Sequence, residues 1–107
     1  MKRGDIALVR YPFTDFSSEK LRSALVLLPQ DEEGDYLLAF ITSSSLRKSP
    51  YDILLQKGET GLHKDSILRL KKIMTIHRSL VAGKIGKVSD KQLKIIEAAL
   101  RNMFGFP

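Results

Sequence analysis

The sequence predicts a small β-barrel with a single helix packed on it. Three observations lead there. Short apolar or alternating runs recur along the chain, separated by turn residues at close intervals; helical periodicity is confined to the last stretch; and 107 residues suit one domain spanning 1–107. A chain this short buries roughly two-thirds of its unfolded surface, so its core is thin and self-association would help it.

Ile6 to Tyr11 is apolar and partly β-branched, a first strand that Pro12 ends. Thr14 to Lys20 is polar and turn-rich, an expected exposed loop. Ala24 to Leu28 is a continuous apolar run, a buried second strand stopped by Pro29 and the acidic turn Asp31-Glu32-Glu33-Gly34-Asp35. Tyr36 to Ser43 closes a hairpin as the third strand. A second polar loop follows through Ser44, Ser45, Arg47, Lys48 and Pro50. Asp52 to Gln56 reads as a short strand, and Gly58 and Gly61 bracket a turn. Ile67 to Leu70 and Ile73 to Ile76 alternate in part, and Gly83 to Val88 is the last β segment, with glycines that suggest a bulge. Ser89-Asp90-Lys91-Gln92 is a capping box, in which the Ser89 hydroxyl accepts from the Gln92 amide. Leu93, Ile96, Leu100 and Met103 then form an apolar stripe, and Gly105 is the expected stop.

The net charge is +6, and all of it lies in the second half: residues 1–50 carry 7 basic and 7 acidic side chains, residues 51–107 carry 11 and 5. A basic surface attracts phosphate polyanions through steering and counterion release, although a solvated basic face that only aids solubility has the same composition. With no cysteine, disulfides, thiolate metal sites and a Cys nucleophile are excluded. No apolar run approaches the ~20 residues needed to span a bilayer, and no signal peptide is evident, so a cytoplasmic protein with no membrane partner is expected.

Nucleotide-loop motifs fail on their spacing. Gly83-Lys84-Ile85-Gly86-Lys87 would need glycine at 81 and Ser or Thr at 88 to cradle a phosphate, and the chain has Val81 and Val88. His63 and His77 are fourteen residues apart, and the carboxylates of Asp31, Glu32 and Glu33 cannot all converge from one turn, so no metal or other cofactor is expected. Two histidines can supply the acid and base of metal-free RNA cleavage, which keeps His63 and His77 as one alternative.

The strongest signal is an ordered series. Gly4-Asp5-Ile6 opens a strand ending in Tyr11-Pro12-Phe13-Thr14-Asp15; Lys20-Leu21-Arg22 feeds the second strand. Ile41-Thr42-Ser43, Gly61-Leu62 with Asp65-Ser66, Thr75-Ile76, Gly83-Lys84-Ile85-Gly86 and the amphipathic helix follow. This series closely resembles the MazF/PemK-like toxins of type II toxin–antitoxin systems, over essentially the whole chain. The resemblance implies an SH3-like barrel of five to seven strands with a C-terminal helix, working as a homodimer. It also implies a metal-independent endoribonuclease that cuts single-stranded RNA, messenger RNA foremost, at short sequences to leave a 2′,3′-cyclic phosphate and a 5′-hydroxyl. A cognate antitoxin would block the RNA groove, and the toxin–antitoxin complex would bind DNA.

The same resemblance assigns the site. An Arg at the start of the second strand carries the chemistry; it matches Arg22, followed here by Ser23 where relatives have proline. Proline would bias the preceding residue towards an extended backbone, a constraint that serine relaxes. The second catalytic position, a Thr or Ser ending the third strand, matches Thr42. Side chains alternate along a strand, so only one of Thr42 and Ser43 is expected to face the groove. Substrate contacts are expected from Phe13, Ser17, Ser18, Lys20, Ser43 and Lys72, the last standing where many relatives have Gln. Phe16 is a further stacking candidate, and Lys64, Arg69 and Lys71 extend the basic path.

Two alternatives stay open beside the nuclease: a barrel that binds RNA or protein without cutting, and a two-histidine ribonuclease on a similar scaffold.

Overall fold

A computed structural model describes residues 1–12, 19–44, 49–58 and 60–107. Six strands form one antiparallel sheet: β1 (Asp5–Pro12), β2 (Glu19–Leu28), β3 (Asp35–Thr42), β4 (Asp52–Leu55), β5 (Ser66–His77) and β6 (Val81–Lys87). A single 3-10 turn, Arg78–Leu80, links β5 to β6, and α1 (Asp90–Phe104) ends the chain. The spatial order is β4-β5-β3-β2-β1-β6. Among the described residues no helix is long and apolar enough to cross a membrane.

The sheet carries a core on each face. Leu25 and Leu27 of β2 join Ile6, Ile41, Leu68 and Leu70 beneath the helix, whereas Ala24 and Val26 join Val9, Tyr36, Leu38 and Ile76 on the opposite face. This explains why residues 24–27 read as an unbroken apolar run: a strand covered on both sides has no polar phase.

β2 begins at Glu19, earlier than Ala24. The ladder with β1 continues through Val9↔Arg22 and Tyr11↔Lys20 to Pro12↔Glu19, so pairing holds polar residues in strand geometry that their composition does not favour. The two β segments expected at 67–76 are one strand with an interruption. Ala39 pairs with Ile73 and Ile41 with Leu68, leaving residues 69–72 of β5 opposite Phe40 alone. That local excess turns Lys71 and Lys72 out to solvent. The glycine-bearing last strand is bulged as expected: Ile6 faces Gly86 while Ala7 faces Lys84.

The helix begins as its capping box predicts, the Gln92 amide donating to Ser89 Oγ at 3.1 Å. It ends at Gly105 in the left-handed region, φ 76°, with the Phe106 amide returning to the Arg101 carbonyl at 2.8 Å. Ile96 is fully buried in the first core, with Leu93, Leu100 and Met103 packed around it.

Among the described residues the ladder does not close. Among the described residues no ladder joins edge strands β4 and β6. The edges meet instead through the turn after β4, where the Thr60–Gly61 backbone rests on the Ile85–Gly86 backbone of β6. A Cβ at Gly86 would overlap the Thr60 carbonyl, and one at Gly61 would overlap the Ile85 carbonyl.

Two of the weak sequence motifs also meet. Asp5 is nearly buried; its Oδ2 accepts from the Lys2 amide at 2.9 Å, and its Oδ1 lies 3.2 Å from Lys84 Nζ. Burial alone would raise the carboxyl pKa, but the Lys2 amide, the Lys84 ammonium and the N-terminal amine together outweigh it, and the net direction is down.

Candidate active site

The β2–β3 ladder sets the positions of Arg22 and Thr42. Ala24 and Phe40 are partners; Arg22 stands two positions before Ala24 and Thr42 two positions after Phe40, hence both on the same face as that pair. Arg22 lies within β2 rather than at its start, held opposite Val9 of β1, and its side chain is exposed. Thr42 is the last residue of β3, opposite Ile67 of β5. Ser23 is half-buried opposite Leu8.

Two clefts share Arg22, Ile41 and Thr42. The first, about 360 Å³, continues past Ser43 and Ser44 to His63 and Lys64. The second, about 490 Å³, runs the other way past Tyr11 and Phe40 to Lys71, Lys72 and Met74. Arg22 and Thr42 therefore stand where the two meet, as the central pair of a longer groove.

At this point strict alternation ends. Ser43 lines the first cleft together with Thr42, because β3 stops at Thr42 and the chain turns. Thr42 Oγ1 accepts from the Ser44 amide at 3.3 Å and lies 2.9 Å from Ser44 Oγ, a hydroxyl-bracketed turn.

Lys72 lines the second cleft with Arg22 and Thr42, on the interrupted segment of β5. Lys20 is exposed in register with Tyr11 and lines neither cleft. Phe13, Ser17 and Ser18, with Phe16, lie outside the described residues. Of the additional basic side chains, Lys64 lines the first cleft and Lys71 and Arg69 the second, Arg69 there forming an ion pair with Asp52, its partner across the β4–β5 ladder.

Two contributors escape a reading of the sequence alone. Tyr11 and Phe40 meet edge to face with ring centroids 5.6 Å apart and floor the second cleft. Their signal was present but faint: Phe40 stands two residues before Thr42, on the same strand face.

The two histidines do not converge. His63 lines the first cleft, while His77 ends β5 in register with Asp35, its Nδ1 2.9 Å from Ser79 Oγ. Paired imidazole chemistry has no support in this arrangement. Among the described residues no three His, Asp or Glu side chains gather as a metal site would require.

The profile of the PemK-like, MazF-like toxins of type II toxin–antitoxin systems matches residues 2–104. Endoribonuclease MazF of Staphylococcus saprophyticus is 27% identical over 105 residues, covering 94% of this chain and 88% of that protein. Among solved structures, the Mycobacterium tuberculosis toxin MazF-mt6 superposes with a TM-score of 0.78 at 20% identity, covering 96% of this chain and 98% of that one. A mycobacterial endoribonuclease solved in complex with its cognate antitoxin gives 0.79 at 15% identity, covering 100% and 97%. MazF from Deinococcus radiodurans gives 0.75 at 18% identity, covering 99% and 97%. The chain belongs to the PemK-like, MazF-like family of type II toxin–antitoxin toxins.

Proposed function

We propose that the protein is the endoribonuclease toxin of a type II toxin–antitoxin system, cutting single-stranded RNA at short sequences without a metal. The observation that carries this reading is the placement of Arg22 and Thr42 side by side where two clefts meet. In-line attack of a 2′-hydroxyl on its own phosphate builds negative charge on the non-bridging oxygens. A guanidinium presents a planar fork of donors matched to those oxygens. When Ser44 donates to Thr42 Oγ1, the Thr42 hydrogen is left to point at the same phosphate. The products are a 2′,3′-cyclic phosphate and a 5′-hydroxyl.

Lys72, with Lys71, extends the positive path along the second cleft, and the Tyr11–Phe40 pair offers a ring surface for an unstacked base. Ser43 and Lys20, with Phe13, Ser17 and Ser18 of the neighbouring segment, complete the RNA contacts in this reading. The sheet is the curled wall of an SH3-like barrel, and the toxin acts as a homodimer, for which exposed Leu28, Phe104 and Phe106 offer apolar area. Its protein partner is an antitoxin, as in the mycobacterial complex.

Incubating the purified protein with a random-sequence single-stranded RNA pool in excess EDTA tests the reading. Cleavage at a recurring short sequence, with cyclic-phosphate and 5′-hydroxyl ends, supports it. RNA that is bound but left intact makes the protein a binding module, and cleavage abolished by EDTA makes it a metal nuclease.

A further inference from the structure

Arg22 and Thr42 leave the proton traffic of the reaction unassigned. A guanidinium releases its proton only above about pH 12, and a threonine hydroxyl does not act as an acid near neutrality. The departing 5′-oxygen nevertheless needs a proton as its bond to phosphorus breaks. Imidazole is the side chain that both binds and releases a proton near neutral pH. Among the described residues of the first cleft there is one, His63.

The chain fixes the place of His63 firmly. Leu62, its neighbour, is 7% exposed and belongs to the core beneath the helix. The turn before it is closed by Gly61 N–H donating to the Gly58 carbonyl at 2.9 Å. The turn after it is held by the Lys57 amide on Asp65 Oδ1 at 3.0 Å and by Ser66 Oγ–H on the Lys64 carbonyl at 2.9 Å. With Leu62 anchored inward, His63 is exposed and lines the same cleft as Arg22 and Thr42.

We propose that His63 is a catalytic residue of the ribonuclease reaction, the general acid that protonates the leaving 5′-oxygen. This rests on the nuclease reading above. The 2′-oxygen forms its bond to phosphorus and loses its proton to water; the phosphorus–O5′ bond breaks; the oxygen takes the proton of the His63 imidazolium and departs as a 5′-hydroxyl. Neutral imidazole then regains a proton from solvent. The charged side chains facing His63 in the cleft are Arg22 from β2 and Lys64 from its own loop, and β3 contributes the hydroxyls of Thr42, Ser43 and Ser44.

The test uses an oligoribonucleotide containing the sequence that the wild-type protein cuts, in two forms: the natural phosphodiester and one with sulfur in place of the bridging 5′-oxygen. A thiolate leaves without being protonated. His63→Gln is expected to lower kcat on the natural substrate by about 10²-fold or more, and to cleave the sulfur substrate at the wild-type rate, which also shows that the variant is folded. The wild-type pH–rate profile is expected to carry a limb on which the rate falls as pH rises, and His63→Gln to lack that limb. A variant with wild-type rate and pH profile overturns the role of His63 while leaving the nuclease reading intact. Equal loss on both substrates overturns the leaving-group role. A wild-type protein that cuts no RNA overturns both.

Discussion

Gly61 and Gly86 sit back to back, each occupying the space that the other's segment would deny to any side chain. This contact brings the turn after β4 onto edge strand β6, and it stands two residues before His63 of the first cleft. Gly86→Ala would force the Thr60 carbonyl away. We expect a loss of stability of about 1–3 kcal/mol, typical of overpacking, read as a lower midpoint in urea. Gly61→Ala should cost more, because Gly61 also holds φ 81°.

Lys84 and Asp5 give a pH dependence with a definite sign. The folded-state pKa of Asp5 lies below its ordinary value, so the stability it contributes is fully present above about pH 4, the unfolded carboxyl value, and is lost as pH falls through the depressed folded value. Lys84→Met removes one of the two main groups that lower it. The acid-unfolding midpoint, followed by circular dichroism, should move to higher pH in that variant, with stability in neutral solution reduced as well.

These two pairings show what the sequence disclosed and what it hid. Neither Gly4-Asp5-Ile6 nor Gly83-Lys84-Ile85-Gly86 discloses its structural role in the linear sequence, since that role is a contact between β1, β6 and the Gly61 turn. Local signals were enough for α1, whose cap, stripe and glycine stop all lie within sixteen residues of one another. The buried run of β2 was legible because its apolar side chains are continuous. Its polar first half was not, because only pairing with β1 holds Glu19 to Ser23 extended. Arg22 and Thr42 emerged from resemblance to relatives; composition alone would have left Arg22 as a surface arginine. Tyr11 and Phe40 were missed because a ring pair formed across strands leaves no linear pattern. The position of Arg69 was legible, but its partner was not: Asp52 becomes its neighbour only once β4 pairs with β5.

That distinction between basic side chains is itself testable. Lys72 lines the second cleft as an exposed cation, so Lys72→Ala should weaken single-stranded RNA binding and reduce the slope of log K against log salt by about 0.7. Arg69 is engaged by Asp52, whose side chain is 4% exposed. Arg69→Met should leave that buried carboxylate without its counter-charge, held by the Ser49 amide at 2.7 Å, lowering thermal stability more than RNA affinity. Fluorescence anisotropy across a salt series and a thermal melt separate the two effects.

The Thr42 hydroxyl should contribute less than Arg22 but in the same step. Thr42→Val keeps the shape of the strand end and removes one donor, and the loss of one such donor lowers kcat about 10²-fold or more. Single-turnover cleavage, with binding followed separately, should show kcat reduced and RNA affinity nearly unchanged.

The central assignment is met most directly at residue 22. Arg22→Ala and Arg22→Lys, compared with wild type in single-turnover cleavage of one defined RNA, should both bind the substrate. The lysine variant keeps the charge but loses the planar fork, so cleavage should fall at least about 10²–10³-fold in both. Wild-type cleavage by Arg22→Ala would contradict the account.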